Sequence, residues 1–334
     1  MRRHGTIGSA WIFGLGMIAV VGCMPDGILL TPVSTNRELV EETVIRERGL
    51  PSDKIAVIDV TGILLNAYEP QFFGQGEHPV SRLLEQLDKA ERDPHVVAVV
   101  LRINSPGGSV TASELVHQEI ARFRKSTGKP VFAVMMDVAA SGGYYVACAC
   151  DEIWAYNSSV TGSIGVLAQF LDVSGTMQKI GMNAPAITSG PNKDAGSPFK
   201  SMTPEQRAIF QTIVDEMYDG FVAVVTSGRP GITEEKVREL ADGRVYTAGQ
   251  ALELGLIDHV GTIRDAFAAL KERTGSKAIR VVTYRRPLEY RPNYYAQAPG
   301  AQGTGVDVNL IKLDVPSLTG LGTPQFLYLW APGH

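Results

Sequence analysis

Ser141 lies in Ala139-Ala140-Ser141-Gly142-Gly143-Tyr144-Tyr145, beyond the apolar run Val131–Val134, and no histidine follows it until His259. A serine among small residues, between a strand and a helix, has the setting of a nucleophile on a tight turn. A serine hydroxyl is a weak nucleophile and needs a base beside it. With no histidine nearby, lysine is the next candidate. Lys193 sits in a Gly/Pro/Ser-rich loop, Ser189-Gly190-Pro191-Asn192-Lys193-Asp194. Acyl transfer by such a pair also needs donors for the oxyanion. Asn104-Ser105-Pro106-Gly107-Gly108-Ser109 can supply them, between the apolar stretch Val96–Ile103 and the helical stretch Val110–Arg124. Paired glycines let backbone N–H groups approach a ligand closely, and the helix start adds partial positive charge. Alone, Ser-Pro-Gly-Gly is an ordinary connection. Followed by Ala-Ser-Gly-Gly, it reads as half of a hydrolase site.

Several of these stretches resemble the SppA-type signal peptide peptidases, relatives of the Clp protease and crotonase fold. They are Leu101-Arg102-Ile103-Asn104-Ser105-Pro106-Gly107-Gly108, Ala140-Ser141-Gly142-Gly143-Tyr144-Tyr145, Thr161-Gly162-Ser163-Ile164-Gly165-Val166, Lys193-Asp194-Ala195-Gly196-Ser197-Pro198-Phe199 and Asp242-Gly243-Arg244-Val245-Tyr246-Thr247. They run in the family's order from about Ile55 to Ile263. The resemblance implies an α/β fold, a Clp protease/crotonase-like ββα superhelix with a single catalytic domain. It implies that Ser141 is the nucleophile, Lys193 the general base, Gly108 and Gly142 the oxyanion hole, and Ser163 the residue that orients the lysine. It also implies a ring-shaped homo-oligomer and no cofactor. The separation of Lys193 from Ser141 is the one the family calls for.

A lysine base must be neutral to accept a proton. A free lysine loses its proton only near pH 10.4, so burial must lower that value. The small neighbours of Lys193, with Phe199, suit a closed pocket. Asp194 would oppose the shift if it faced the amine, so it should point away. The six histidines are His4, His78, His95, His117, His259 and His334. None follows Ser141 closely enough for a Ser-His-Asp triad of the Clp type. His117 reads as a surface or packing residue and His259, after Asp258, as structural. Cys148 and Cys150, two apart, point to different sides of a helix and read as core. No metal-ligand cluster or phosphate loop is evident.

The elements that must hold these groups alternate strand and helix, which argues for a βαβ architecture. A strand is predicted over Ile55–Val60, a helix over Ser81–Arg92 ending at Asp93-Pro94, then strands at Val96–Ile103 and Val131–Met135 around the helix from Val110. Ser163–Phe170 and Ala184–Thr188 read as strands around a helix at Ser174–Ile180. Thr203-Pro204-Glu205-Gln206 is a capping box with proline at the first helical position. The helix it starts carries an apolar stripe, Phe210, Ile213, Val214, Met217, Tyr218, Phe221, Val222 and Val225, suited to the core or to a subunit interface. Helices at Thr247–Leu254 and Ile263–Glu272 and a strand at Lys277–Tyr284 follow. The resemblance implies that residues 51–286 form the SppA-type peptidase domain.

The ends read differently. Arg2 and Arg3 precede a run from Ile7 to Gly22 that is short for a membrane span and suits a signal peptide. It ends Val20-Val21-Gly22-Cys23, resembling a bacterial lipobox in which Cys23 is lipidated and becomes the mature N-terminus. The alternative is an uncleaved signal anchor. Either places the domain in the cell envelope, on the extracytoplasmic side, tethered to a membrane. Residues 24–50 read as a spacer with a short helix around Arg37–Arg48. Residues 287–334 read as an extended or partly disordered tail whose apolar end, Phe326–Trp330, could pair as an edge strand. The net charge of −4 gives no reason to expect nucleic acid, and 44% hydrophobic residues can fill a substantial core.

The expected activity is endopeptidase cleavage of remnant signal peptides, or other extended apolar segments, through an acyl-enzyme. A crotonase-like acyl-CoA enzyme would share the oxyanion geometry but need a nucleotide-binding surface. A non-catalytic envelope scaffold would need neither Ser141 nor Lys193.

Overall fold

Runs of valine and isoleucine with no polar face make the centre of the sheet. The computed structural model describes residues 38–67, 77–286 and 325–330. Cys23 and the rest of the N-terminal 37 residues lie outside the described residues, as do 287–324. In chain order come β1 (Val40–Arg46), β2 (Asp53–Thr61), α1 (Pro79–Arg92), β3 (Val96–Ser105), β4 (Gly107–Ser109), α2 (Val110–Thr127), β5 (Val131–Ala140) and α3 (Gly142–Ala147). Then follow β6 (Glu152–Ala155), β7 (Val160–Gly162), β8 (Leu167–Gln169), α4 (Ser174–Lys179), α5 (Pro204–Gly228) and α6 (Glu234–Leu240). The last are β9 (Val245–Thr247), α7 (Ala248–Glu253), β10 (His259–Val260), α8 (Ile263–Thr274), β11 (Ile279–Arg285) and β12 (Gln325–Leu329).

The main sheet has the order β1-β11-β2-β3-β5-β6-β10, with every neighbour from β11 to β10 parallel. Both faces are covered, which is why β2, β3 and β5 read as continuous apolar runs. Ile55, Val57, Ala98, Val100, Phe132 and Val134 face Ile263, Ala266, Phe267 and Leu270 of α8. Ala56, Ile58, Val99, Leu101 and Ala133 face the other way, toward Leu83 and Leu87 of α1 and Val116, Ile120 and Phe123 of α2. Arg102 is fully buried and pairs with Asp59 on the adjacent strand at 2.6 Å. β5 outruns β6, and its last residues, Val138–Ala140, pair instead with β7. This extension carries the chain to Ser141.

Four expectations need correction. The spacer helix around Arg37–Arg48 is the strand β1, antiparallel to β11 from Val40↔Arg285. Val40, Thr43, Val44 and Ile45 are β-branched and favour the pleated conformation, so the α/β unit begins ahead of residue 51. Ala184–Thr188 is irregular and exposed, and Pro185 has no N–H for a ladder. Ser163–Phe170 is broken, because Ser163 adopts φ 49° and only Leu167–Gln169 is strand. Phe326–Trp330 is no edge. β12 lies between β4 and β8, antiparallel to both, in a second, three-stranded sheet.

Candidate active site

The turn that carries Ser141 is assembled by backbone. Ser141 is 1% exposed and adopts φ 52°, ψ −116° between β5 and α3. A non-glycine residue at positive φ costs about 1–3 kcal/mol and persists only where its surroundings impose it. Here the Ser141 N–H donates to the Gly162 carbonyl at 2.7 Å and the Ser141 carbonyl accepts from the Tyr145 N–H at 2.9 Å. Gly162 belongs to β7, which pairs with Ala140 and is braced by β9. Ser163, the next residue, is held by its own N–H on the Arg244 carbonyl at 2.7 Å.

β4 crosses directly over this turn. Its outer side is fixed by Leu64, whose N–H donates to the Gly107 carbonyl and whose carbonyl accepts from the Ser109 N–H, both at 2.8 Å. Strand residues alternate sides, so the N–H and carbonyl of Gly108 point away from Leu64, toward β12. A Cβ on Gly107 (φ 101°) would sit 2.7 Å from the Gly142 nitrogen, and one on Gly142 would sit 3.2 Å from the Gly108 nitrogen. The Gly108 and Gly142 amides therefore share one small space beside Ser141, and only glycine allows the approach.

Lys193 is not part of that cluster. It lies exposed in a turn where its N–H donates to the Gly190 carbonyl at 3.2 Å, and its amine makes no hydrogen bond or ion pair among the described residues. Asp194 points away from it as expected, pairing with Lys200 at 2.6 Å. That hydrogen bond holds the Asp194 carboxyl below its ordinary range. The segment is tied to the fold by Gln206, which donates to the Pro191 carbonyl at 3.0 Å, and by Phe170 against Phe210. Ile180, Met182, Ile187 and Phe199 are all exposed on it.

The remaining candidates are structural. His259 stacks on Trp154 at 4.1 Å between ring centres. His117 meets the Tyr145 ring edge-on at 5.2 Å, and burial, with the positive charge of Arg124, pulls its pKa below the ordinary value. Cys148 and Cys150 are buried free thiols, and burial raises Cys148 to about 12. A cavity of about 620 Å³ opens by Ile45, Phe267, Lys271 and Val281 and touches none of the site residues. β12 runs along β4 on the side away from Leu64.

Leu64, Tyr145, Phe221 and Tyr328 escaped sequence reading as site residues. Tyr145 is inside the Ala-Ser-Gly-Gly-Tyr-Tyr stretch and Tyr328 inside the apolar tail end, which are their only sequence signals.

The profile of peptidase family S49 matches residues 123–277, spanning Ser141 and Lys193. A chain of Enterococcus faecium named as a signal peptide peptidase, SppA, is 36% identical over 298 residues, covering 88% of this chain and 86% of the relative. That is longer than the stretch from Ile55 to Ile263 marked by the motifs. The chloroplastic serine protease SPPA of Arabidopsis thaliana is 32% identical over 262 residues, and Protease 4 of Haemophilus influenzae is 36% identical over 214. This chain spans 38% and 34% of those two relatives.

Proposed function

Because this chain belongs to peptidase family S49, and is thereby a serine protease, we propose that it is a membrane-tethered signal peptide peptidase working through a Ser141–Lys193 dyad. The observation that carries the reading is Ser141 on a positive-φ turn, facing the clustered amides of Gly108 and Gly142. In this reading Lys193, as the free amine, takes the proton of Ser141 Oγ while the oxygen attacks a peptide carbonyl. The Gly108 and Gly142 N–H groups stabilise the oxyanion. Collapse passes the proton to the leaving amine and leaves an acyl-Ser141. Water, deprotonated by the same amine, then releases the acid and restores the serine. Ser163 would hydrogen-bond the lysine. Activity should rise from neutral to alkaline pH.

The parallel sheet with helices on both faces, and the short β4 strand placed over the nucleophile turn, suit the Clp/crotonase type of fold. The exposed amine of Lys193 needs covering before it can serve as a buried base. The exposed apolar residues around it favour a second copy of the chain as that cover, in keeping with a ring-shaped homo-oligomer. No helix among the described residues is long and apolar enough to cross a membrane. We assign the tether to a lipidated Cys23, at which the mature chain begins. Its substrates are remnant signal peptides or similar extended apolar segments.

Labelling with a fluorophosphonate tests the centre. The expected result is one label on Ser141 and none in Ser141→Ala. Unchanged peptide turnover in Ser141→Ala overturns the reading. Intact mass of membrane-extracted protein should show loss of residues 1–22 and added acyl mass. A chain still carrying Met1 overturns the lipid anchor.

A further inference from the structure

β3 and β5 fall out of step just before the proposed centre. Their parallel register runs residue for residue from Val99↔Val131 to Ile103↔Met135, and the next pair is Ser105↔Ala139. Asn104 alone therefore stands opposite Met136, Asp137 and Val138. Extra residues on one strand of a pair bend that strand and sharpen its twist. Here the bend coincides with a change of neighbour. β5 pairs with β6 up to Met135↔Ala155 and with β7 from Val138↔Val160. Ser141 follows directly after the last of these β7 pairs, Ala140↔Gly162. The shape of the bulge thus sets where the serine is delivered.

A bulge interrupts the ladder, and the polar groups it frees need other partners. Side chains supply them. The Val138 N–H donates to Asn104 Oδ1 at 3.2 Å. The buried hydroxyls of Ser159 and Thr161 donate to the Met135 and Ala139 carbonyls at 3.0 and 2.7 Å. Asn104 differs from these two in what its own backbone does. Its carbonyl accepts from the Gly62 N–H at 3.0 Å, and the next residue, Ser105, donates through Oγ to the Gly62 carbonyl at 2.6 Å. Just beyond Gly62 comes Leu64, which grips Gly107 and Ser109 at the two ends of β4. Asn104 therefore joins three arms: the Gly62–Leu64 brace, the chain that leads into Gly107 and Gly108, and the strand that ends at Ser141. Its amide nitrogen reaches the exposed Asp137 carboxylate at 3.5 Å. A carboxylate can only accept, so it takes the nitrogen end and leaves Oδ1 for Val138.

We infer that Asn104 is a positioning residue for the hydrolytic reaction: its side-chain oxygen, standing in for a ladder carbonyl, sets the spacing between Ser141 and the Gly108 amide. The inference rests on the proposed catalytic centre and adds a residue that touches neither substrate nor the reacting atoms. Without Oδ1 the Val138 N–H has no acceptor in a half-buried place, and the bulge is released on its β3 side. The Gly62 and Leu64 contacts are backbone and Ser105 contacts, so they still hold β4. The expected consequence is a shift of Ser141 relative to the oxyanion donors, not a loss of the sheet. A misplacement of about 1 Å costs about 10²-fold in rate. That cost falls on the transition state, so it appears in kcat and not in KM.

The test uses the full chain as wild type, Asn104→Ala, Asp137→Ala and the exchange variant Asn104→Asp/Asp137→Asn. In the exchange variant the carboxylate at 104 accepts from the Val138 N–H and from the amide at 137, so both contacts persist with the second reversed. Turnover of one fluorogenic peptide is divided by the fraction of Ser141 that a fluorophosphonate labels at completion, so that misfolded protein does not count. Asn104→Ala should lose about 10²-fold in kcat per labelled serine, with KM little changed. Asp137→Ala, which removes only the exposed contact, should lose far less. The exchange variant should recover most of the loss. If Asn104→Ala does not fold, Asn104→Ser takes its place with the same expectation, since its side chain is too short to reach Val138 but admits water to the amide. A role confined to stability would lower the labelled fraction and the urea midpoint and leave kcat per labelled serine at the wild-type value. That result overturns the inference. So does an exchange variant no better than Asn104→Ala, and so do equal losses in Asn104→Ala and Asp137→Ala. Turnover that survives Ser141→Ala would instead remove the catalytic reading itself. Ser141-dependent turnover with wild-type kcat in Asn104→Ala removes only this inference.

Discussion

The two halves of the proposed dyad sit in opposite surroundings. Ser141 is imposed by its frame: β5 and β7 deliver it, the Gly162 carbonyl holds its N–H, and β4 crosses above it on hydrogen bonds from Leu64. The hydrogen bonds that hold it are backbone to backbone, and Ser141 itself is 1% exposed. Lys193 has none of this. It rides on the stretch from Leu171 to Ser201, which contains only the six-residue helix α4 and no described residue that is fully buried. The contrast teaches that one chain can preorganise the proposed nucleophile and oxyanion donors, while its proposed base would still need a further burial event. Such a division would let activity depend on assembly while the fold does not.

The largest expected effect removes either half. Ser141→Ala and Lys193→Ala should each lower kcat by roughly 10⁴-fold or more, and the double variant should be no worse than the weaker single one, because groups acting as a unit are not additive. Melting temperature should stay near wild type for Lys193→Ala, whose side chain is exposed and makes no hydrogen bond or ion pair among the described residues. Appreciable turnover in Lys193→Ala would break the dyad and leave Ser141 with another base.

A matched glycine pair sharpens the same contrast. An added methyl in Gly107→Ala would fall 1.9 Å from the Tyr328 carbonyl oxygen and 2.7 Å from the Gly142 nitrogen, at φ 101°. It should cost about 10²–10³ in kcat, the size of losing one oxyanion donor. Gly190→Ala meets open space beside Lys193 and should lie within about 0.5 kcal/mol of wild type in stability, with activity little changed. Equal behaviour of the two variants in activity and in chemical denaturation would show that the glycine frame is not what organises the site.

The exposed apolar side of the lysine segment gives a third test. Ile187 is fully exposed and Phe199 is 53% exposed. Ile187→Asp and Phe199→Asp should leave the melting temperature alone. Each should weaken self-association and activity together, by about tenfold for each 1.4 kcal/mol of lost interface. Sedimentation and kcat/KM measured over the same concentration range check this. Activity that is independent of concentration in both variants would argue that the lysine is covered from within its own chain.

The same division explains what could be read from the sequence. The buried frame was legible because it is local: apolar runs marked β2, β3 and β5, Thr203 and Gln206 marked the start of α5, and paired glycines marked both sides of the proposed oxyanion space. The backbones of Gly108 and Gly142 lie close together beside Ser141. The chemistry around Lys193 was legible only as a resemblance, since nothing in its neighbours buries it. The apolar stripe of α5 was half right: Phe221, Val222 and Val225 enter the core, whereas Phe210 to Tyr218 are half-buried beside β8 and β12. β1 and β12 were missed or misplaced because their partners, β11 for one and β4 and β8 for the other, are far away in sequence. Pairing over such distances leaves no local periodicity to read.

The smallest expected effect concerns an ion pair on the framed side and its counterpart on the exposed one. Arg229 makes two hydrogen bonds to Asp258, at 2.7 and 2.8 Å, and Asp258 also accepts from the Ile153 N–H at 2.7 Å. Burial works to raise the Asp258 carboxyl, but these hydrogen bonds and the arginine charge outweigh it and hold it below its ordinary value. A depressed carboxyl stabilises the fold fully above its unfolded value, about 3.9, and loses that contribution as pH falls through it toward the folded value. Asp258→Asn should therefore cost about 1–3 kcal/mol near neutral pH, and its denaturation midpoint should fall less steeply than wild type below about pH 4. Asp194, paired with Lys200 in the open, is also depressed, but water screens it. Asp194→Asn should change the acid limb far less. Parallel acid limbs for wild type and Asp258→Asn would remove Arg229–Asp258 from the set of contacts that hold the β6 and β10 edge to the end of α5.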